Sequence, residues 1–426
     1  MDPLPQDLAG WLAYIETRHP SAIALGLERV REVAARLGLE RPAAQVVTVG
    51  GTNGKGSTVA FIEAIARAEG WRVGAYTSPH LLRYNERVRI DGAEAGDEAL
   101  ASAFAAVEAA RGPTPLTYFE YGTLAALWLF QRSGLDLAVL EVGLGGRLDA
   151  VNLVDPDVAV ITTVDIDHVD WLGGDREAIG AEKAGIARAW KPLVLGEIDP
   201  PSSVLRHAYA IGANAIRAGS DYFHEPARDA EGMWCWREVG CELLLPQPAL
   251  AAPVQRANAA AAIAALRALP RSPGREAAYA EGVAAARLPG RLQKFERDGV
   301  EVVVDVGHNP QAARELAAWL SAHPAPGGTA AVLAVLADKD ALQVAQPLEG
   351  LVQAWHLAGL EGARGQGAEA LAERLAGTAA AAGSRDPDVA QALRRALAQA
   401  RPGGRVLVYG SFLTATAALA WLHSGR

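Results

Sequence analysis

Cysteine and long apolar runs are scarce in this sequence, and each scarcity excludes a class of protein. Cys235 and Cys241 are the only cysteines, and no second pair completes a zinc site. Two cysteines in so long a chain suit a reducing compartment rather than a disulfide scaffold. No apolar run approaches the roughly 20 residues of a membrane helix, and MDPLPQDLAGWL at the N-terminus lacks the pattern of a signal peptide. We therefore expect a cytoplasmic protein with no membrane partner.

Lysine is also rare, occurring only at positions 55, 183, 191, 294 and 339 among 40 basic residues. Codon bias in a GC-rich genome explains the general preference for arginine, but not why particular sites keep lysine. Such a site needs a compact charge, or an amine that can lose its proton and react, and a guanidinium supplies neither. The net charge of −9 argues against a protein that coats nucleic acid, which would carry a basic stripe.

The chain of 426 residues, half of them hydrophobic, is long enough for two or three packed domains. From residue 45, apolar strand-like runs alternate with helical segments, a pattern that predicts a parallel sheet covered on both faces. Residues 215–250 indicate a small antiparallel excursion. Pro289-Gly290 marks a linker, after which the alternation restarts. We therefore predict two α/β domains, residues 1–289 and 290–426.

The segment VGGTNGKGST, residues 49–58, lies between a predicted strand and a predicted helix. A usual phosphate-binding loop has Ser or Thr directly after Gly-Lys, whereas here Gly56 follows and the hydroxyls come at Ser57 and Thr58. Backbone N–H groups freed by the glycines can point at phosphate oxygens, assisted by the helix N-terminus. A plain glycine turn is the alternative, but the context favours a nucleotide site that includes Lys55.

Polar side chains follow two further strands, at the sheet edge where ligands bind. Glu141 ends LDLAVLEV, where a carboxylate can hold Mg²⁺ against phosphates. Three aspartates and His168 crowd residues 165–170, although solvated turn residues explain each aspartate singly. Lys183, if it lies near metal-bound phosphates, could react with CO₂ and become a metal-binding carbamate.

Two further groups of residues are candidates for binding. Tyr118, Phe119 and Tyr121 begin a predicted helix and suit stacking on a flat heterocycle, with core packing as the alternative. In the second domain Asp305, His308 and Asn309 follow one strand and Ser411 follows the last, with loop capping as the alternative.

Taken in order, these motifs resemble the folylpolyglutamate synthase/dihydrofolate synthase family, within the ATP-dependent Mur ligase superfamily. GTNGKGS, TSPHL, FEYGT, EVGLGGRLDA, DH followed by EKAGI, LPGR, HNP and GSF occur in the family's order. The altered phosphate-loop spelling is the form that this family uses. The resemblance implies an α/β fold, with a P-loop-type, mostly parallel ATPase sheet and a smaller Rossmann-like C-terminal domain.

The resemblance also implies a role for each matching position. The implied ATP contacts are Thr52, Asn53, Gly54, Lys55, Gly56, Ser57, Asn258, Arg291 and Asp305. The implied ligands of two magnesium ions are Ser78, Glu141, His168 and a CO₂-derived carbamate on Lys183. The implied pterin-side segments are Thr117, Tyr118, Phe119, Glu120, Leu148, Asp149 and Ala150, with His308 and Ser411 contributing to glutamate binding and closure. The groups expected to act in catalysis are Lys55, Lys183, His168 and His308.

The implied reaction joins L-glutamate to dihydropteroate or a reduced folate. ATP would phosphorylate the substrate carboxylate, and the glutamate amine would attack the acyl phosphate, giving an amide, ADP and phosphate. Mg²⁺ and Lys55 would stabilise the developing charge. We expect a monomer with small-molecule substrates and no nucleic-acid partner.

Two positions depart from the family's pattern. Asp305-Val306-Gly307-His308 stands where the family usually has Asp-Gly-Ala-His or Asp-Tyr-Ala-His, so the polar ends are kept. Ala24, in Ala22-Ile23-Ala24, stands where many bifunctional bacterial relatives have an aspartate, and this difference bears on substrate range.

Two other functions remain as alternatives. A Mur-type ligase for peptidoglycan precursors would use the same chemistry, but TSPHLLRYN and TYFEYGT disfavour it. A GTPase-like regulatory switch would need an Asn-Lys-x-Asp motif, and the nearest stretch, Ala337-Asp338-Lys339-Asp340, lacks the asparagine.

Overall fold

The computed structural model describes residues 4–19, 24–228 and 230–425. The chain forms two compact units. The first holds the described residues up to Ala249 together with Arg256–Arg287, and the second holds Leu250–Gln255 together with the described residues from Leu288 onward. The division at 289/290 stays a prediction, and the observed grouping differs from it at residues 250–255 and at residues 288–289.

A large, mostly parallel sheet forms the centre of the first unit. Its strands are β1 (Gln45–Gly50), β2 (Val73–Tyr76), β3 (Val88–Ile90), β4 (Ala93–Glu94), β5 (Leu137–Glu141), β6 (Val158–Ile161), β7 (Pro192–Leu195) and β8 (Asn214–Arg217). Their order across the sheet is β4-β3-β2-β5-β1-β6-β7-β8, and only the β2–β3 and β3–β4 pairs are antiparallel. Every residue of β1 is buried, as expected for a central strand covered on both faces. The predicted parallel sheet is confirmed.

The connection after β2 differs from the sequence-based expectation. The polar stretch YTSPHLLRYNERVRIDG, residues 76–92, predicts a long connection after the second strand, but these residues contain a 3₁₀ turn, Tyr84–Arg87, and the strand β3. The strand was missed because it is short and its only fully buried residue is Val88, between Arg87 and Arg89. The arginine side chains turn inward to specific partners, and hydrophobic alternation does not reveal such contacts.

Helices cover this sheet, and several begin at side-chain caps. In chain order they are α1 (Leu8–Glu16), α2 (Glu28–Arg36), α3 (Lys55–Ala68), α4 (Asp97–Arg111), α5 (Tyr118–Gln131), α6 (Val169–Leu172), α7 (Arg176–Ala184), α8 (Ser202–Ile211), α9 (Gln255–Arg267) and α10 (Glu276–Ala285). Thr117 caps α5, with Glu120 completing a capping box. A core cluster packs α1, α2, α4 and α5 against β1, β2 and β5.

A small antiparallel sheet follows β8, as the sequence predicted. It comprises β9 (Tyr222–Pro226), β10 (Met233–Glu238) and β11 (Cys241–Pro246). Trp234 and Trp236 are fully buried on β10, and the Trp236 indole N–H donates to the Ala260 carbonyl of α9 at 3.1 Å. This bond fixes the small sheet on the alanine-rich helix.

The second unit is a separate α/β sheet with its own core. Its strands are β12 (Gln293–Arg297), β13 (Val300–Val304), β14 (Thr329–Leu333), β15 (Ala354–Ala358), β16 (Ser384–Asp386) and β17 (Arg405–Tyr409). Its helices are α11 (Pro310–Ala322), α12 (Ala341–Ala345), α13 (Ala368–Arg374), α14 (Val389–Gln399) and α15 (Phe412–His423). The strand order is β12-β13-β17-β14-β15-β16, parallel except for β12–β13. Among the helices of the described residues, none combines the length and apolar character that a bilayer crossing requires.

Gly282 of α10 permits a close approach to α3, the helix that begins at the phosphate loop. A Cβ at Gly282 would lie 2.4 Å from Ile65 Cα and 2.5 Å from Ile65 N. An alanine normally stabilises a helix relative to glycine by about 0.5–1 kcal/mol. Here the backbone of α3 cannot yield as a side chain can, so we expect Gly282→Ala to destabilise the protein by about 1–3 kcal/mol.

The midpoint of denaturant unfolding measures this effect. Ala284→Gly, at an exposed site of the same helix, is the control and should show only the ordinary helix preference. A Gly282→Ala protein as stable as the wild type would show that α3 and α10 do not require this contact.

Candidate active site

The phosphate-loop segment joins β1 to α3 and is fixed by the residues after β6. Thr52 N–H donates to the Thr163 carbonyl at 2.7 Å, and the Thr162 hydroxyl donates to the Asn53 carbonyl at 2.6 Å. The Thr52 hydroxyl donates to the Asp165 carbonyl at 3.0 Å. The loop is thus built in place by its neighbour strand, as a pre-formed phosphate cradle requires.

Two glycines of this loop cannot carry a side chain. Gly51 has a φ of 142° and Gly54 a φ of 85°. A Cβ at Gly51 would lie 1.9 Å from the Thr162 hydroxyl oxygen, and one at Gly54 would lie 2.5 Å from Asn258 Oδ1. Asn258, expected as an ATP contact, therefore lies against the loop. Gly56 and Ser57 lie in the first turn of α3, and both are buried.

Lys55 and Lys183 converge on one backbone oxygen. The Lys55 ammonium donates to the carbonyls of Gly51 at 3.1 Å and Thr52 at 3.0 Å. Lys183, in the last turn of α7, donates to the same Gly51 carbonyl at 2.9 Å and is only 3% exposed. The structure therefore brings together two of the few lysines, 128 positions apart in the chain.

Burial and the nearby Lys55 cation together lower the pKa of Lys183 to about 7, while Asp167 and Asp149 oppose the shift. An amine with this pKa is partly neutral near pH 7, unlike an ordinary lysine. Asp149 is fully desolvated, which raises its pKa to about 6. Its carboxylate accepts backbone N–H bonds from Gly143, Leu144 and Val151, so it shapes the turn after β5.

Ser78 and Glu141, both expected as metal ligands, lie together because β2 and β5 are neighbours. Ser78 N–H donates to Glu141 Oε2 at 3.1 Å. His168 is exposed, has a φ of 53° and precedes α6. Among the described residues, no group of three or more His, Cys, Asp or Glu side chains could hold a metal by itself. A serine hydroxyl and a carboxylate are hard oxygen donors, and Mg²⁺ is commonly held by one or two carboxylates with phosphate oxygens, so this donor set fits that ion.

The pterin-side segments also converge. Gly26 N–H donates to the Leu148 carbonyl at 3.4 Å, and Arg29 forms a two-pronged ion pair with Glu120, at 2.7 and 3.1 Å. Arg29 also donates to the Ala24 carbonyl. Ala22 and Ile23 lie outside the described residues. The N-terminal segment, the start of α5 and the turn at 148–150 thus meet around Ala24.

Glu120 and Tyr121 differ from the expectations for them. The Glu120 carboxylate is buried, forms an ion pair with Arg29 and accepts a hydrogen bond from Thr117 N–H. These contacts give it a structural role in holding the segment at the start of α5. Tyr121 is fully buried and donates to Glu108, which makes it a core residue. Tyr118 and Phe119 are half-buried, and a Cβ at Gly143 would lie 2.6 Å from the Phe119 ring.

In the second unit, the side chain of Asp305 connects the end of β13 to the linker residue Leu292 through a hydrogen bond. Its carboxylate accepts Leu292 N–H at 2.8 Å and Gly307 N–H at 2.7 Å. Burial raises its pKa, and the nearby Arg291 opposes this shift. Arg291 and His308 both lie beside the Phe412 ring, at 5.5 and 5.9 Å between centres.

Two further candidates in this unit are helix caps. Ser411 accepts Thr414 N–H and begins α15, and Asn309 does the same for α11 through Ala312 N–H. His80 and Arg87, which sequence analysis did not single out, form a hydrogen-bonded pair beside Tyr118. Their presence in TSPHLLRYNERVRIDG was visible, but their contact was not.

Comparisons with known proteins agree with this architecture. The Mur ligase middle domain matches residues 49–229, and the Mur ligase glutamate ligase domain matches residues 290–412. The dihydrofolate synthase/folylpolyglutamate synthase of Escherichia coli K12 is 47% identical over 408 residues, covering 96% of this chain and 93% of that protein.

Solved structures are equally similar. E. coli FolC in complex with DHPP and ADP matches with a TM-score of 0.93 at 45% identity, over 100% of both chains. A bifunctional folylpolyglutamate synthase/dihydrofolate synthase with Mn, AMPPNP and L-glutamate bound matches with a TM-score of 0.90 at 45% identity, over 99% of this chain and 100% of that one. This chain belongs to the dihydrofolate synthase/folylpolyglutamate synthase family.

Proposed function

We propose that this chain is a bifunctional ADP-forming ligase that adds L-glutamate both to dihydropteroate and to reduced folates. The observation that carries the proposal is the meeting of the Ala24, Glu120 and Leu148 segments on the same sheet edge as the phosphate loop. The similar proteins whose complexes contain DHPP, ADP, AMPPNP, Mn or L-glutamate support the substrate and cofactor classes.

In the proposed reaction, a substrate carboxylate oxygen attacks the γ-phosphorus of ATP, and ADP leaves. The glutamate nitrogen then attacks the acyl carbon, the bond from that carbon to the phosphate oxygen breaks, and the amine loses a proton. Lys55 supplies positive charge to the phosphoryl oxygens, and the glycine-loop N–H groups orient them. Divalent cations, held by Ser78, Glu141 and His168, would add Lewis-acid charge stabilisation.

We propose further that Lys183 carries a carbamate. Its lowered pKa leaves part of the amine neutral at physiological pH, and only the neutral nitrogen can bond to CO₂, with release of a proton. The product is an anion beside the Lys55 cation, which exchanges a repulsion for an attraction. Arginine cannot react in this way.

Substrate range depends on Ala24, which offers no side-chain hydrogen bond where bifunctional relatives have aspartate. Loss of one such bond costs about 1 kcal/mol, more if a pterin donor is left buried and unpaired, or roughly five- to tenfold in binding. We expect both activities, with a raised KM for dihydropteroate. Ala24→Asp should lower that KM more than the KM for a folate monoglutamate.

Glutamate-dependent ADP release, measured with both substrates and both proteins, tests this prediction. Ala24→Leu is the matched control, since it changes size without adding an acceptor. Equal effects of Ala24→Asp on the two KM values would remove the assigned role of position 24. No turnover of dihydropteroate by either protein would leave only the polyglutamate activity.

A further inference from the structure

Arg87 is a buried arginine at the end of the 3₁₀ turn before β3. It is 9% exposed, and its guanidinium carbon lies 5.4 Å from the centre of the Tyr84 ring and 5.6 Å from that of Tyr118. Its charge also lies near Tyr76, where it opposes the rise in the Tyr76 pKa that burial causes. Two residues along, Arg89 is paired with the Glu63 carboxylate at 2.8 Å. Arg87 has no such ion pair with any residue that the structure describes.

A guanidinium withdrawn from water without a counter-ion is energetically unfavourable. The two tyrosine rings offset part of this cost through cation–π attraction, which amounts to about 0.5–2 kcal/mol. An anion that enters the site would complete the compensation. The Arg87 guanidinium is therefore a candidate group for binding an anion in the first unit.

His80 is the hydrogen-bond partner of Arg87. Arg87 Nε–H donates to His80 Nδ1 at 2.8 Å. An arginine N–H can only donate, so Nδ1 must be an acceptor, and the proton of the neutral ring lies on Nε2. The His80 side chain is half-buried, so this second nitrogen belongs to a ring that a ligand can reach.

The location of the pair indicates which part of a ligand it would meet. His80 lies two residues after Ser78, and Ser78 contacts Glu141. Arg87 contacts Tyr118 at the start of α5. The pair therefore lies between the pterin-side segment and the proposed metal ligands. A substrate that spans these two regions would present its carboxylate-bearing benzoyl end here.

We propose that Arg87 and the Nε2–H of His80 bind the carboxylate-bearing end of the acceptor substrate, with Arg87 fixing the His80 tautomer. This inference rests on the proposed acceptor substrate. It assigns specificity for a carboxylate, over a neutral group, to two residues outside the phosphate loop.

The test compares pteroate with its decarboxylated analogue, which keeps the pterin and the unsubstituted aniline. Binding of each is measured by calorimetry with ADP and Mg²⁺ present, so that no turnover occurs. The wild type should prefer pteroate by about tenfold or more, the usual scale for a charged hydrogen bond. In Arg87→Met and His80→Leu this preference should fall towards one, with little change for the decarboxylated analogue.

Two control variants sharpen the comparison. His80→Gln can keep a donor near the Nε2 position and should retain most of the preference. Arg83→Met removes an exposed arginine of the same segment, paired with Asp97, and should leave the preference unchanged. If Arg87→Met and His80→Leu weaken both ligands by the same factor, the pair supports structure only and the proposal is wrong.

A second measurement is independent of ligand binding and of activity. Two-dimensional ¹⁵N–¹H spectra of histidine-labelled protein report which ring nitrogen carries the proton, and the His80→Gln spectrum assigns the signal. The wild type should show the Nε2–H tautomer, and His323, hydrogen-bonded to a carbonyl through Nδ1, is an internal reference for the other tautomer. A protonated His80 Nδ1 in the wild type would overturn the proposal. Glutamate-dependent turnover of dihydropteroate by the wild type, assayed separately, decides the proposed function itself.

Discussion

Lys55→Ala is expected to abolish ligation, with kcat reduced by about 10³-fold or more, while the fold is kept. Removing one preorganised donor to a developing charge typically costs about 10²–10³-fold, and Lys55 supplies a full charge as well. Its ammonium donates to the Gly51 and Thr52 carbonyls within its own loop, so its removal should leave the packing of the core intact. Loss of this cation should also raise the pKa of Lys183, since Lys55 is one cause of the lowering.

Glutamate-dependent ADP release measures the loss, and circular dichroism with thermal unfolding checks the fold. Lys191→Ala is the control, because Lys191 is half-exposed and pairs with Asp157 at 3.2 Å. Near-normal turnover by Lys55→Ala would show that the phosphate site is wrongly assigned.

Lys183→Arg should lose most activity, by about 10²-fold or more, although charge and length are nearly kept. The side chain is 3% exposed, so a larger guanidinium has no room, and it cannot form a carbamate. Because the pKa of Lys183 is lowered to about 7, the neutral amine fraction rises as pH increases through 7. With limiting bicarbonate, wild-type activity should therefore rise over that range, and added bicarbonate should flatten the dependence.

Carbon-13 NMR after incubation with labelled bicarbonate tests the modification directly, and a carbamate signal should be absent from Lys183→Arg. Small carboxylates should partly restore Lys183→Ala, since they can replace the missing anion. Lys191→Arg serves as the control for the substitution itself. A fully active Lys183→Arg enzyme, or a bare amine in a high-resolution map of the ATP–Mg²⁺ complex, would refute the carbamate.

Much of the fold could be predicted because its central strands are continuous apolar runs that end at polar residues. Glu141 and Asp305 were placed correctly at strand ends by this pattern alone. The strand at Val88–Ile90 was missed because charged side chains interrupt its apolar signal. Residues 250–255 belong to the second unit although their neighbours in the sequence belong to the first. No local sequence pattern predicts this assignment, because it depends on which unit each segment packs against.

The candidate site was predictable where a residue type has one chemical use, and not where its use depends on a distant partner. The rarity of lysine singled out Lys183, and its burial agrees with a special role. The tasks of Glu120 and Tyr121 depend on Arg29 and Glu108, and Arg29 lies 91 positions away from Glu120. A single sequence does not reveal such pairs, because neither spacing nor hydrophobic periodicity encodes them.

The path of the chain around residues 250–255 has a consequence for synthesis on the ribosome. This segment belongs to the second unit, but from Arg256 the chain returns to the first. Asn258 lies against Gly54, and the helix at Glu276–Ala285 contacts α3 through Gly282. Both therefore emerge from the exit tunnel long after the loop at 49–58. A nascent chain holds the phosphate-loop sequence early, but the contacts of Asn258 with Gly54 and of Gly282 with α3 form only after most of the polypeptide has been translated.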